Sequence, residues 1–163
     1  MLAPVLMTFI LVLPYLFARF AMSGPQSRDL RPAAAAGVGL VFLFAASGHF
    51  LQTGPMVQML PPWVPEREFL VYATGVLEIA IAISMFFSRS RRTGALAAAA
   101  TLVAFFPANV YAAMHQVPMG GHAWGLAYLW VRAPLQIFIL WWIWAMVLRD
   151  QSKPPLIRHT NAK

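Results

Sequence analysis

The sequence contains no cysteine and few charged residues. Without a thiol the chain forms no disulfide, no cysteine zinc site and no cysteine-ligated iron–sulfur cluster, and direct thiol redox chemistry is excluded as well. Charged residues make up 10% of the 163 residues, against roughly 25% in an average soluble domain. Because a soluble protein of this size could not cover its surface with so few charges, the composition excludes an ordinary soluble fold.

The sequence has long apolar runs instead. Hydrophobic residues make up 60% of the chain, and a membrane-spanning helix needs about 20 mostly apolar residues. Five segments meet this requirement, at 2–22, 32–51, 69–87, 93–115 and 125–148. The sequence therefore predicts an all-α integral membrane bundle, with one transmembrane domain at 1–148 and a polar cytoplasmic tail at 149–163.

The first apolar segment leaves the helix count open. It lacks the basic start of a secretory signal peptide, so we expect it to be retained. Pro4 and Pro14 lie inside it, and a membrane helix tolerates prolines better than a soluble one. We expect a four-helix core plus this additional N-terminal transmembrane helix. A four-span arrangement, in which the segment does not cross, changes only the side on which the N-terminus lies.

Basic residues predict the orientation. The net charge of +7 does not indicate nucleic acid, because the charges lie at the ends of apolar runs, where they act as topology signals. If all five segments cross, the loop between the third and fourth spans, the loop after the first span and the C-terminal tail lie on one side of the membrane. Every basic residue except Arg67 and Arg132 falls on that side. The positive-inside rule then places the basic loops and the C-terminus in the cytoplasm, with the chain in the cell (inner) membrane.

Two further patterns concern packing and the membrane boundary. The second span begins with small residues at 33–39, which favours close helix approach. Four prolines at 55, 61, 62 and 65 forbid a regular helix through the connection at 52–68. Since tryptophan favours the membrane–water boundary, MLPPWVP at 59–65 predicts a rigid interfacial cap, and the tryptophans at 141, 142 and 144 predict an interfacial belt on the other side.

Polar residues inside the spans collect at one level. A helix rises about 1.5 Å per residue, which places six polar side chains in the outer half of the membrane: His49, Glu78, Asn109, Tyr111, Arg132 and Gln136. A charge inside the membrane costs about 2.5–3.5 kcal/mol on insertion scales. Because Glu78 and Arg132 carry opposite charges at similar depths, we expect them to pair.

Each of these residues also has a structural interpretation. A buried Glu–Arg pair can serve only to fix helix register, and Asn109 can serve only to satisfy backbone groups freed by Pro107. A lone His49 is more often a hydrogen-bonded histidine than a ligand, and His115 and His122 fit ordinary loop positions. Haem or metal binding is not expected, since His49 is the only histidine placed inside the bundle. Phosphate-loop, serine-nucleophile and zinc-helix motifs are absent from the sequence.

Six segments, taken in order, resemble the DoxX-like family of small bacterial integral membrane proteins. They are GHF at 48–50, MLPPWVP at 59–65, LVYATGVLEIAIAI at 70–83, RSRRTGALAA at 89–98, FPANVYAA at 106–113 and RAPLQ at 132–136. The resemblance implies a four-helix membrane core, with His49, Glu78, Asn109 and Arg132 in the family's motifs. It implies no single reaction. Some relatives are membrane subunits of oxidoreductases, including a thiosulfate:quinone oxidoreductase, and others relate to methylamine utilisation or to redox complexes.

Three functions follow as hypotheses. In the first, the chain is a subunit or accessory of a redox complex and binds a quinone or another small lipophile in an outer-half cavity. In the second, it is a stand-alone membrane enzyme that does acid–base chemistry on a small lipophilic substrate. In the third, it has a structural or assembly role without a ligand. The expected catalytic residue is Glu78, and the expected ligand-binding residues are His49, Asn109, Tyr111, Arg132 and Gln136. No cofactor can be named from the sequence.

Overall fold

The computed structural model describes residues 2–21 and 29–149, and these residues form a helical bundle without strands. The helices are α1 (Leu2–Ala21), α2 (Arg31–Leu51), α3 (Thr53–Gln58), α4 (Arg67–Phe86), α5 (Arg91–Met114) and α6 (Leu129–Trp142). A 3₁₀ segment (His122–Tyr128) precedes α6, and a π-helical turn (Ile143–Leu148) continues it. The predicted all-α bundle is confirmed. The predicted polar tail lies outside the described residues from residue 150 onward, as does the basic loop up to Arg28.

Five of these segments are long and apolar enough to cross a membrane. They are α1, α2, α4, α5 and the continuous stretch His122–Leu148. Although Pro14 lies inside it, α1 is one helix of 20 residues. The structure therefore favours the five-helix alternative, in which α1 is added to a four-helix core.

A glycine at the crossing of α1 and α2 joins the added helix to the core. Gly37 is buried, and a Cβ atom at this position would collide with the backbone carbonyl of Leu11. Leu11 is fully buried, while most other side chains of α1 are exposed. Small residues allow this close backbone approach between membrane helices. Gly37 therefore fixes where α1 lies on the bundle.

One half of the bundle, on the side of the loop that joins α4 to α5, is closely packed, and we call it the packed half. Its core consists mainly of alanine, valine and isoleucine with one buried methionine: Ala34, Ala35, Val38, Ile81, Ala82, Met85, Ala95, Ala98, Ile143 and Val147. A Cβ atom on Gly39 would lie 3.1 Å from the carbonyl oxygen of Ala82. The small residues therefore set the helix spacing in this half.

The tryptophans at the end of the last span differ in how much of each side chain is exposed. Trp141 and Trp144 are 52% and 54% exposed, but Trp142 is only 6% exposed. The Trp142 indole N–H donates a hydrogen bond to the carbonyl of Ala34 at 3.3 Å, and its ring and that of Tyr15 are T-shaped, with centroids 5.4 Å apart. The expectation of an interfacial position is therefore wrong for Trp142, because its N–H finds a partner inside the bundle.

The other half of the bundle ends in the connection between α2 and α4, which contains a helix that the sequence did not predict. Helix α3 follows α2 after the single non-helical residue Gln52. Pro55 is tolerated because it lies in the first turn of α3, where its missing N–H would have had no intrahelical partner. The three later prolines interrupt the helix as expected. Trp63, between them, is 81% exposed.

Candidate functional site

A cavity of about 410 Å³ lies in the half of the bundle that contains α3, and we call this half the hollow half. Residues from all six helices and the 3₁₀ segment line it. Five of the six predicted site residues are among them: His49, Glu78, Asn109, Arg132 and Gln136. Tyr111 does not line the cavity, because its ring stacks on His115 at a centroid distance of 3.9 Å.

His49 and Glu78 form one side of the cavity. The His49 Nδ1–H donates to the carbonyl of Val71 at 2.7 Å, and the Nε2 atom lies 3.5 Å from Oε2 of Glu78. This contact depends on Gly75, because a Cβ atom there would come within 2.7 Å of the His49 Cβ. Val71, Gly75 and Glu78 follow one another at helical spacing along one face of α4. Glycine at the middle position therefore admits the imidazole between its two partners.

Arg132 lies on the other side of the cavity and is held by α5. Its Nε–H donates to Oδ1 of Asn109 at 3.2 Å, and Nη1 makes a weak contact with the sulfur of Met7 at 3.9 Å. Glu78 and Arg132 interact electrostatically across the cavity, as expected of two opposite charges, but no direct contact joins them; among the described residues, the ionisable side chain nearest to the Glu78 carboxyl group is the imidazole of His49. The reason is the close approach of α2 to α4, which gives the carboxyl group a nearer partner.

Asn109 joins Arg132 to the backbone of α5. Its amide N–H donates to the carbonyl of Phe105 at 2.8 Å, while its carbonyl oxygen accepts from Arg132. The backbone carbonyl that Pro107 leaves without an N–H donor belongs to Val103, four residues earlier. This hydrogen bond of Asn109 therefore does not repair the proline position, and the residue positions the guanidinium group instead.

His122 is a buried cavity residue that the sequence interpretation placed in an ordinary loop. Gly121 (φ 116°) and Gly125 (φ 68°) both adopt backbone conformations that glycine permits most readily, and they fold the chain back so that His122 is only 5% exposed. Its Nδ1–H donates to the carbonyl of Met119 at 2.8 Å, and its ring meets Tyr128 at 4.8 Å. A histidine between closely spaced glycines, GGHAWG at 120–125, is the signal that could have indicated a buried position.

Three buried side-chain atoms within residues 2–21 and 29–149 have no hydrogen-bond partner. They are Oε2 of Glu78, Nε2 of His122 and Oε1 of Gln136. All three residues line the one cavity. Roughly 90% or more of buried polar groups in proteins are hydrogen-bonded, so each exception needs an explanation. Three exceptions around one cavity make this cavity the candidate functional site.

The remaining walls are mainly apolar and include four methionines, at positions 7, 56, 59 and 119. Methionine side chains are flexible and polarisable, and they adapt to irregular apolar shapes. Small-molecule sites typically have volumes of about 300–1,000 Å³ and apolar walls with a few polar groups. The cavity has this character. In the described part of the chain, no three side chains of histidine, aspartate or glutamate come together in a way that could hold a metal ion.

These features define a multi-pass membrane protein, an all-α bundle with a polar cluster in an apolar cavity. The chain belongs to the family described as Domain of unknown function (DUF8561), whose model matches residues 38–147. The match includes every cavity residue except those contributed by α1. No curated protein and no solved structure matches the chain. The resemblance to DoxX-like proteins stays a prediction.

Proposed function

We propose that this chain binds a small lipophile with a polar head in the cavity of the hollow half. The observation that carries the proposal is the set of three unpartnered buried atoms, on Glu78, His122 and Gln136, around one cavity. Leaving a buried polar group without a partner costs about 1–3 kcal/mol. A ligand whose head bonds to these atoms removes that cost, while the methionine-rich walls receive its apolar part.

Within this proposal, the candidate ligand is a quinone-class molecule, and the chain is a subunit or accessory of a redox complex. The resemblance to DoxX-like membrane proteins is what favours this class. The cavity volume of about 410 Å³ is compatible with one ring and part of a side chain. Arg132, positioned by Asn109, supplies hydrogen-bond donors to the ligand head, and Glu78 with His49 faces it from α4 and α2. Native mass spectrometry of the protein released directly from membranes tests for the partner subunits.

The lipophile is tested by extracting the purified protein with organic solvent and identifying small molecules by mass spectrometry. We expect a lipophile to copurify with the wild-type protein and with Tyr111→Phe, a control outside the cavity. It should be lost from Arg132→Met, provided that this variant unfolds at a temperature near that of the wild type. If no lipophile copurifies with the wild type, and quinones added to the protein do not bind saturably, the proposal fails.

The orientation is part of the proposal. With the basic loops in the cytoplasm, the cavity lies in the outer half of the cell membrane. Because the chain has no cysteine, single cysteines report topology without background. A cysteine replacing Ser90, in the loop between α4 and α5, should react with a membrane-impermeant maleimide only after cells are permeabilised. A cysteine replacing Pro62 should react in intact cells. The reverse pattern would place the cavity on the cytoplasmic side.

The contact between His49 and Glu78 favours a second candidate, acid–base catalysis on a lipophilic substrate. An imidazole and a carboxyl group 3.5 Å apart, facing a cavity with apolar walls, could transfer a proton to or from a bound molecule. Turnover of a substrate by the purified chain alone, abolished in Glu78→Gln, would favour this function over that of a redox subunit. A purely structural role instead predicts that the double variant Glu78→Leu with Arg132→Leu keeps function. The unpartnered atoms argue against it.

A further inference from the structure

The hydrogen bonds made by the cavity histidines determine which of their nitrogens can bind a ligand. In His122, Nδ1 lies 2.8 Å from the carbonyl oxygen of Met119. A carbonyl oxygen can only accept, so Nδ1 carries the proton. The Nε2 atom of the neutral ring is then a bare acceptor, and it is buried without a partner. His122 therefore presents a lone pair that needs a donor.

The same reasoning applies to His49. Its Nδ1 donates to the carbonyl of Val71 at 2.7 Å and contacts the hydroxyl oxygen of Thr74 at 3.2 Å. The Thr74 hydroxyl is itself a donor to the carbonyl of Leu70, so it accepts from the ring. The Nε2 atom of neutral His49 is thus a second bare acceptor. It faces Oε2 of Glu78 at 3.5 Å, so one proton held between the carboxyl oxygen and the imidazole nitrogen serves both atoms, and this pair is not counted among the free acceptors.

The cavity therefore has a surplus of acceptors. Oε1 of Gln136 is a buried acceptor without a partner, as is Nε2 of His122. The main donor is Arg132, whose guanidinium group has five N–H bonds and uses one for Asn109 and one for the weak contact with Met7. A bound carbonyl or ether can accept from Arg132 but leaves all the acceptors unpaired. A bound hydroxyl accepts from Arg132 and also donates to one of the acceptors.

We infer that the cavity selects a lipophile that bears a hydroxyl group, such as a phenol or another hydroxylated ring, over the same molecule with only an ether or carbonyl in that place. The inference rests on the proposed function, that the cavity binds a lipophile. If the ligand belongs to a redox couple, this selection favours the reduced, hydroxylated member. The hydroxyl then lies between Arg132 and the unpartnered acceptors of His122 and Gln136.

A matched pair of probes tests the inference. We would measure saturable binding of 4-hexylphenol and of its methyl ether, 4-hexylanisole, to the full chain in lipid nanodiscs by isothermal titration calorimetry, after subtracting the partitioning into empty nanodiscs. We expect the phenol to bind about tenfold more tightly or better, which corresponds to about 1.4 kcal/mol. The preference should shrink several-fold in His122→Phe and in Gln136→Leu, and it should be unchanged in Tyr111→Phe.

The outcomes separate the two proposals. Equal binding of the two probes, or tighter binding of the ether, overturns the inference but leaves a lipophile-binding cavity in place. If neither probe binds saturably, the inference fails, and the copurification and quinone-binding assays decide separately whether the cavity binds a lipophile. If His122→Phe does not fold, the test uses the wild type and Gln136→Leu alone. The quantity compared is then the ratio of the dissociation constants of 4-hexylanisole and 4-hexylphenol in these two proteins.

Discussion

The two halves of the bundle are built from the same helices but in opposite ways. In the packed half, alanines and glycines bring the helices together around Met85 and Trp142. In the hollow half, the core helices α2, α4, α5 and α6, together with α1, α3 and the 3₁₀ segment, enclose a cavity that is lined by four methionines and several polar groups. Membrane helices gain no hydrophobic stabilisation against lipid, so close packing is a main source of their association. The packed half therefore supplies most of the packing stability, whereas the hollow half contains a cavity in place of close packing.

The small residues of the packed half explain why the cavity can persist. Close contact at Gly39 and Gly94 holds the core helices together at one end, while the chain between α2 and α4 closes the other. Gly39 approaches the backbone of Ala82, whereas Gly94 and Gly75 each make room for a polar side chain, that of Ser84 and that of His49. Each of these three glycines thus allows a close approach that a larger residue would prevent.

The largest expected effect comes from truncating the core of the packed half. Met85 is fully buried, and Met85→Ala should lower the free energy of unfolding by about 3 kcal/mol, because it removes packed atoms and leaves a cavity. Met119→Ala, in the wall of the existing cavity, is the matched control and should cost less than about 1 kcal/mol. Reversible unfolding in detergent measures both. Equal losses would mean that the two halves do not differ in packing.

A smaller effect is expected where α1 joins the core. Gly37→Val places a branched side chain against the backbone of Leu11 and should cost about 2 kcal/mol, since overpacking of this kind typically costs 1–3 kcal/mol. Gly54→Ala is the control, because a Cβ atom there meets nothing within 4 Å. Thermal unfolding should show a lower midpoint for Gly37→Val than for Gly54→Ala. An unchanged midpoint in Gly37→Val would show that α1 does not depend on this crossing.

The smallest effect on stability is expected in the hollow half, where a substitution should not destabilise the protein. Gln136→Leu removes a buried oxygen that has no partner, so it should leave the stability unchanged or raise it by up to about 1 kcal/mol. The same change should weaken ligand binding. Unfolding and binding measured on one preparation test both parts. A loss of stability comparable to that of Met85→Ala would mean that Gln136 is a packing residue.

Much of the fold could be predicted from the sequence, because the membrane imposes a simple requirement on apolar length. The helices that cross begin and end within a few residues of the apolar runs, as in α2 at Arg31–Leu51 against a predicted 32–51. Helix α3 was missed, since it is too short to show a pattern and contains a proline. The role of Trp142 was also missed, because an aromatic cluster looks the same whether its members face lipid or the core.

The site was predictable in composition but not in its contacts. The depth of polar residues along straight helices placed His49, Glu78, Asn109, Arg132 and Gln136 at one level, and all five line the cavity. Depth alone does not tell which neighbours touch, so Glu78 was paired with Arg132 and not with His49. Tyr111 lies at a similar depth but turns toward His115. His122 was taken for a loop residue because its burial depends on glycine conformations outside any regular helix.

The most direct test of the account is to fill the cavity without touching its polar groups. Ala45 lines the cavity, and Ala45→Phe would occupy the space of the ligand, whereas Ala104→Phe, at an exposed position of α5, adds the same ring on the outside. The measurement is the amount of small lipophile that copurifies with each protein. The account predicts about one molecule per chain in the wild type and in Ala104→Phe, and almost none in a stably folded Ala45→Phe. Equal retention by all three proteins would contradict it.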